Sequence, residues 1–434
     1  MGPQKHELRP SIYICVEVKN RELDSQLLLA AELTQRGFRC LLGSHAAIFA
    51  LLKAKKTKSG IFFDKGTLPR SRMEWIKTKV DSIVVMDQEL GPTLENPSSE
   101  FASGQSRIYP GVEEFVDKYL CVGPKVYEAA LKHFGGDKEK VVMTGWPRID
   151  IWNKLGKEIY KSEIELLTSE YGKFVLFVSD FGVNKDAEVT FEGIKSLSQF
   201  DENFQSTLRV LKNWDNSSDF DRIVIRPHIT EDVNLWEKLL GQLTKTVVKK
   251  EFNVTPWVLA SSGIIHTGST VALEARLAGK SVFYLRENST RGESSFADLV
   301  SNCVIQGDFK GPLTIKEYPN QPLPSEIYRY VFLNEISATS RVIDEFEKLK
   351  PKSEPNLAIF SILVSQIYLS SLRRLAGLIK DEIAYKLRII SNPPYSHSFP
   401  GGIARKDITK VLTSNKNYNG IRVRRVTINC WEFI

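Results

Sequence analysis

Short apolar runs alternate with amphipathic stretches along most of this chain, the signature of strands and helices taken in turn. The run Ile12–Val18 reads as a strand, and Arg21–Arg36 as a helix whose apolar positions are Leu23, Leu27, Ala30, Ala31 and Leu33. Gly37 ends that helix and Phe38–Leu42 returns as a strand. Further strand-like runs are Ile61–Phe63, Ser82–Met86, Leu120–Val122 and Lys140–Met143, with a helix over Pro124–Phe134 closed by Gly135 and Gly136. The plan then repeats. Lys157–Glu170 reads as a helix, Phe174–Val178 as a strand, Arg222–Arg226 as a strand, Val233–Leu243 as a helix and Val247–Phe252 as a strand. Strand and helix alternating in this way predict parallel α/β sheets, since each crossover helix covers a sheet face.

The stretch Ser262–Leu285 is the most informative. An apolar run ends at Ile265, and a turn of small residues follows, His266-Thr267-Gly268-Ser269-Thr270. A helix with Val271, Leu273, Leu277 and Ala278 as its apolar positions comes next, ended by Gly279, before the strand Ser281–Leu285. A strand feeding a Gly/Ser/Thr turn leaves amides and hydroxyls aimed at one spot, which suits a phosphate. Glu274 lies one helical turn further on, where its carboxylate is suited to accept hydrogen bonds from a ribose. An ordinary βαβ unit with a Ser or Thr cap produces the same local sequence.

The architecture predicted is α/β, two Rossmann-like domains facing across a cleft, with C-terminal helices packing back on the first. The first domain covers residues 1–155 and the second 156–350, joined near the Gly145-Trp146-Pro147 break. Helices crossing back occupy 351–390, and a basic tail with Arg422, Arg424 and Arg425 runs irregularly over 391–434. The apolar run Ile359–Leu375 contains Ser, Gln, Arg and Tyr, and reads as a buried helix rather than a membrane span.

Composition narrows the classes. A chain of 434 residues is long enough for two or three domains. The start, MGPQKHELRP, is polar and has no signal-peptide core. The five cysteines are scattered without metal-type spacing and read as reduced, buried thiols of a cytoplasmic protein. A formal charge of +7 is modest for this length, and a mildly basic solvated surface is its plainest account. It is also compatible with anionic substrates or peripheral association with the inner membrane. No nucleic-acid module is visible, so no nucleic-acid partner is expected.

Three further places lie where strands end. Glu17, Lys19, Arg21, Glu22 and Asp24 crowd the turn after the first strand, where charge fits a polar substrate and equally fits acids in a first helical turn. In Arg226-Pro227-His228-Ile229-Thr230-Glu231-Asp232, Pro227 stops a strand, so His228 and two carboxylates emerge at its carboxyl edge. Arg226 is suited to pair with a phosphate or carboxylate. Thr230 with Glu231 and Asp232 also reads as a capped helix start. Ser179–Asn184 follows the first strand of the second half and reads equally as cleft floor or plain turn. The Asp219-Phe220-Asp221 triplet precedes a strand, the wrong end for a metal-binding carboxylate pair, and no metal is expected.

Taken together, Glu17-Val-Lys-Asn-Arg-Glu-Leu-Asp24, Gly145-Trp-Pro-Arg-Ile-Asp150, Arg226-Pro-His228 with Glu231-Asp232, and His266-Thr-Gly-Ser-Thr270 with Glu274 resemble the bacterial surface carbohydrate biosynthesis family. Within it, the chain is similar to retaining Kdo transferases of the WbbB type over residues 10–300. The resemblance implies a two-Rossmann GT-B architecture and a CMP-linked sugar acid as donor, bound by the second domain. It puts His266, Thr267, Gly268, Ser269 and Thr270 at the donor phosphate, Glu274 near the ribose, and Asp232 as the nucleophile of a double displacement. One departure is Ile229, where the wider family often has a second proline.

The function expected is metal-independent, retaining transfer of Kdo or a related ulosonic acid from its CMP conjugate to a growing surface glycan. Glu17, Arg21 and Glu22 are the acceptor-contact candidates, for a glycan or lipid-linked glycan. Arg226 and His228 balance charge on the departing phosphate or the sugar carboxylate. No cofactor is needed beyond the donor substrate. A CDP-glycerol-type phosphotransferase would use the same turn, and a catalytically silent nucleotide-sugar-binding subunit of a polysaccharide assembly complex would need no nucleophile.

Overall fold

The structure, a computed structural model, describes residues 10–55, 57–86, 109–152, 154–179, 207–217, 219–228, 231, 233–240, 243–286, 296–306, 321–349, 376, 379–380, 383 and 399–434. They form two compact units, Met1–Ile151 with Tyr328–Ile434, and Trp152–Ile327.

The first unit holds an eight-stranded sheet. Numbered along the chain, its strands are β1 (Ser11–Val16), β2 (Arg39–Ser44), β3 (Ile61–Asp64), β4 (Ser82–Val85), β5 (Lys118–Cys121), β6 (Val141–Met143), β13 (Val423–Thr427) and β14 (Cys430–Phe433). The order is β13-β14-β2-β1-β3-β4-β5-β6, parallel from β2 to β6. The chain leaves β1 for β2 on one side and then crosses to β3 on the other, so the order reverses at β1. Crossovers include α1 (Lys19–Gln35), α2 (His45–Ala54), α3 (Arg70–Lys77) and α4 (Pro124–His133). In α1 the run Leu27–Ala31 is buried throughout, because the helix packs on β1 and β2 and is also covered by the helices Ala338–Lys348 and Arg405–Thr413. An apolar run wider than one helical stripe is the sequence counterpart of that double cover.

Two expectations are corrected in this unit. The tail is not irregular: Arg405–Thr413 is a helix, and β13 and β14 form a hairpin that adds antiparallel to β2. The turn between them carries Asn429 at φ 55°, a region that Asn enters more readily than most residues. Nor is Glu326–Leu349, whose pattern in the sequence also reads as helical, one helix. A short 3-10 turn, Ser325–Arg329, is followed by irregular chain whose Phe332 amide bonds to Val122 O, and the helix begins only at Ala338. Ser337 caps it by accepting from the Ser340 amide at 3.1 Å, and the Asp150 carboxylate accepts from the Ala338 and Thr339 amides at 3.2 and 2.7 Å. Asp150, in the Gly-Trp-Pro-Arg-Ile-Asp stretch, is thus a helix cap supplied from a distant part of the chain. The helices expected over 351–390 lie outside the described residues, apart from four positions.

The second unit holds β7 (Phe174–Val178), β8 (Arg222–Arg226), β9 (Thr246–Val248), β10 (Gly263–His266), β11 (Ser281–Arg286) and β12 (Cys303–Gln306), all parallel, in the order β12-β11-β10-β7-β8-β9. From β7 the chain builds outward through β8 and β9, then returns to the other side for β10, β11 and β12. That is the dinucleotide-fold order, with its reversal between β7 and β10. Its helices include α5 (Lys161–Tyr171), α6 (Val233–Leu240), α7 (Val254–Ala260) and α8 (Val271–Leu277). Trp214 and Trp236, both fully buried, pack with Phe177, Ile223, Ile225 and Phe283 in the core. Burying side chains of this size contributes several kcal/mol each. The α/β class and the two Rossmann-like sheets match the sequence expectation.

All five cysteines are free, with Cys303 half-buried and the other four buried. Among the described residues, no helix is long and apolar enough to cross a membrane.

Candidate functional site

In the second unit the register sets three strand-terminal residues in a row, with Tyr284 of β11 beside them. Arg226 pairs with Val178, Val178 with His266, and His266 with Tyr284. The crevice where the strand order reverses therefore opens between Ser179, which follows β7, and the turn His266–Thr270, which follows β10.

His266 is fully buried. Its Nδ1 accepts from the Gly268 amide at 3.1 Å, so the ring proton sits on Nε2 and is donated to Ser301 Oγ at 2.9 Å. The Ser301 hydroxyl donates in turn to Ala297 O at 2.6 Å, and the ring stacks on Tyr284 with centroids 5.3 Å apart. Burial drives the His266 pKa down to about 3, so the imidazole is neutral and acts as a brace for the turn. Gly268, at φ 139°, takes a backbone conformation that side-chain-bearing residues rarely adopt. Ser269 Oγ accepts from the Val271 amide at 3.3 Å. The amides of Ser269 and Thr270 have no hydrogen-bond partner among the described residues. Thr267, Ser269 and Thr270 are half-buried, Gly268 is exposed, and Glu274, on α8, is buried.

The Arg226 stretch is built differently from its sequence expectation. Arg226 is buried, and its guanidinium donates to the carbonyls of Glu251 and Phe252 while lying 5.7 Å from the Trp257 ring centroid. Burial lowers its pKa to about 10, which leaves it charged at neutral pH. It holds the turn after β9, where Phe252 sits at φ 60°. Glu231 is also buried. Its Oε2 accepts from Ser179 Oγ at 2.7 Å, Trp236 Nε1 at 2.9 Å and the His228 amide at 3.1 Å. One carboxylate oxygen thus ties together the ends of β7 and β8 and the helix α6. His228 is half-buried beside it. Asp232, Ile229, Thr230 and the stretch Asp180–Asn184 lie outside the described residues.

Sequence reasoning did not single out Trp236 or Ser301, nor Glu231 as an anchor. The available signal for Glu231 was its place three residues after His228, the spacing at which a carboxylate reaches back to an amide.

In the first unit, Glu22 is buried and Glu17 half-exposed, and Lys65 bridges both, reaching Glu22 Oε1 at 2.7 Å. Glu22 Oε2 also accepts from the Glu17 amide at 2.7 Å, which closes the turn after β1. Arg21 is exposed, and its carbonyl accepts from Arg148. Lys19 is held by Asp407 at 2.9 Å and by Gly402 O at 2.6 Å, so the C-terminal segment packs against the same turn. Nearby, His45 Nε2 and Asp64 Oδ2 are 2.7 Å apart. Burial pulls the His45 pKa down, but the Asp64 charge and hydrogen bond outweigh it and leave it above its ordinary value. Asp221, from the acidic triplet, joins the amino ends of β7 and β8 by accepting from the Lys173 amide at 2.7 Å.

Fold and site together define a two-unit α/β protein whose second unit carries a small-residue turn at the reversal point of a dinucleotide-fold sheet. Neither a protein-family model nor a curated protein matches the sequence. Among solved structures, the chain is similar to the S. aureus MnaA–UDP co-structure, with 15% identity over 88% of this chain and 98% of that one, at a TM-score of 0.45. It is similar to Methanocaldococcus jannaschii UDP-GlcNAc 2-epimerase in complex with UDP-GlcNAc and UDP, with 12% identity over 78% and 99% of the two chains and a TM-score of 0.47. It is also similar to a variant of the wall teichoic acid polymerase TagF, with 12% identity over 79% and 89% of the two chains and a TM-score of 0.39. At such scores these likenesses carry no argument about what this chain does.

Proposed function

We propose that the chain is a nucleotide-sugar-dependent glycosyltransferase of bacterial surface polysaccharide synthesis. Its second unit binds the donor and its first unit contacts the acceptor. The observation that carries this reading is the turn His266–Thr270 at the reversal point between β7 and β10, with the Ser269 and Thr270 amides unpartnered among the described residues. Open amides at such a point suit a phosphate oxygen. The buried, neutral His266 holds the Gly268 amide and so keeps the turn in one shape.

The finer reading is retaining transfer of Kdo or a related ulosonic acid from its CMP conjugate. In the first step the Asp232 carboxylate attacks the anomeric carbon, the bond from that carbon to the phosphate oxygen breaks, and CMP leaves with the electron pair. In the second, an acceptor hydroxyl oxygen attacks the same carbon, the ester to Asp232 breaks, and the hydroxyl proton passes to a base. Glu231 supports the choice of Asp232, because its own carboxylate is committed to three donors on one oxygen. Isothermal titration with CMP tests the donor reading. Wild-type protein is expected to bind CMP, and Ser269→Ala and Gly268→Ala are expected to weaken that binding roughly tenfold, about 1.4 kcal/mol each. Unchanged CMP affinity in both variants would make the turn purely structural.

A further inference from the structure

The reversal point of the first sheet gathers a second set of chemically capable groups, unrelated to the donor turn. Cys15 is the penultimate residue of β1, His45 begins α2 directly after β2, and Asp64 ends β3. Because β1 lies between β2 and β3, three strand ends bring these side chains together. Cys15 Sγ, a His45 ring nitrogen and an Asp64 carboxylate oxygen all lie within 4.8 Å of one another. Cys15 and Asp64 are each 3% exposed, while the His45 side chain is 20% exposed and borders an open pocket of about 400 Å3 with Phe49, Ser71 and Arg72.

We propose that Cys15, His45 and Asp64 form a binding site for a divalent zinc-class metal ion, with its fourth position facing that pocket. A thiolate, an imidazole and a carboxylate are the donor types zinc takes, and three protein ligands with one open side is the arrangement of sites that keep an exchangeable water. The thiol excludes magnesium and calcium, which prefer oxygen. Metal–ligand lengths of about 2.0–2.3 Å in a tetrahedron put ligand atoms roughly 3.3–3.8 Å apart. A cluster within 4.8 Å reaches that spacing once the His45–Asp64 contact, 2.7 Å long, opens by roughly 0.6 Å and the longest separation closes by about 1 Å. Lys65, the neighbouring cation, is held by Glu17 and Glu22. A plain His–Asp hydrogen bond accounts for two members of the cluster but not the third, since the Cys15 thiol has no hydrogen-bond partner among the described residues. On binding, the thiol sulfur exchanges its proton for the metal, and the proton goes to solvent.

Cobalt(II) reports on such a site directly. Titrating the chelator-stripped full chain with cobalt is expected to give one ion per chain, with a thiolate-to-cobalt charge-transfer band in the near ultraviolet and the intense visible bands of a four-coordinate ion. Cys15→Ser is expected to lose the charge-transfer band, and His45→Gln and Asp64→Asn to weaken binding more than about tenfold. Cys303→Ser, which changes the half-buried thiol of the other unit, is expected to leave the spectrum as it is. Circular dichroism checks that each variant is folded. Wild-type protein that gives no charge-transfer band overturns the proposal, even if variants misfold, and so does a band that survives Cys15→Ser in folded protein. Either result would leave His45 and Asp64 as a hydrogen-bonded pair.

Discussion

Ser179 Oγ donates to Glu231 Oε2 at 2.7 Å, so the chain leaving β7 is fastened to the loop leaving β8 by one buried carboxylate. The same oxygen takes the Trp236 indole and the His228 amide, which makes Glu231 the point where two strand ends and a helix meet. Glu231→Gln keeps the shape but removes the charge and offers the donors a neutral carbonyl. Hydrogen bonds to charged groups contribute about 1.5–3 kcal/mol each and buried ones do not add independently. The variant is therefore expected to destabilise the second unit by roughly 2–4 kcal/mol. Urea unfolding followed by tryptophan fluorescence reads this directly, because Trp214 and Trp236 lie in that core. A midpoint equal to wild type would remove Glu231 from this role.

His266 gives a pH signature. Its folded pKa, about 3, lies below the ordinary value of 6.5 because burial disfavours the charged ring. A group depressed in this way is neutral in both states above pH 6.5, where its contribution is fully present. As pH falls through 6.5 towards 3, the unfolded chain takes up a proton that the folded one does not, and stability is lost. The loss approaches about 1.4 kcal/mol per pH unit. The difference in unfolding free energy between wild type and His266→Gln is expected to shrink over this window, since the variant lacks the titrating ring. A difference constant from pH 7 to pH 4 would mean that His266 is not buried neutral.

The alternation of short apolar runs was enough to read both parallel sheets, because a strand covered on two faces must be apolar along its whole length. It did not reach the β13–β14 hairpin. Arg424 and Arg425 alternate poorly, and what makes them strand is pairing with Cys430–Phe433, which in turn pairs with β2 nearly four hundred residues earlier. That pairing is non-local and leaves no periodicity. The late start of the helix at Ala338 has the same kind of cause, since its cap comes from Asp150. At the candidate site, the turn after β10 was legible from its small residues. The brace beneath it was not, because Ser301 and Tyr284 reach His266 only through the fold. Arg226 shows the limit of reading charge from sequence: an arginine at a strand's carboxyl edge suggested an anion, and backbone carbonyls of Glu251 and Phe252 are what it holds.

Acceptor contact is proposed for the turn after β1. Glu22 is committed to Lys65 and to the Glu17 amide, whereas the Arg21 side chain is exposed. Arg21→Ala is expected to raise the acceptor KM about tenfold while leaving CMP affinity within twofold, since only a surface contact of roughly 1.4 kcal/mol is removed. Steady-state kinetics with varied acceptor, paired with CMP titration, separates the two effects. Lower donor affinity with normal acceptor saturation would reverse the roles assigned to the two units.

Asp232 is the residue on which the proposed retaining chemistry rests. Retention by two inversions needs an enzyme nucleophile, and a carboxylate serves because its ester to an anomeric carbon is itself a good substrate for the second displacement. Of the adjacent pair, Glu231 is buried and holds Ser179, Trp236 and the His228 amide. Glu231 precedes α6, which begins at Val233, and the commitment of its carboxylate is what favours Asp232 as the proposed nucleophile. Asp232→Ala is expected to lower turnover at least about a thousandfold, roughly 4 kcal/mol in the barrier, while CMP still binds with near wild-type affinity. Wild-type protein incubated with CMP-Kdo and no acceptor is expected to gain the mass of one sugar residue, located by peptide mapping to the segment containing Asp232. Glu231→Gln, if folded, should retain that adduct. Product of inverted configuration, or an Asp232→Ala enzyme with undiminished turnover, would rule out the double displacement; an adduct on Glu231 instead would mean that its three hydrogen bonds open during the reaction.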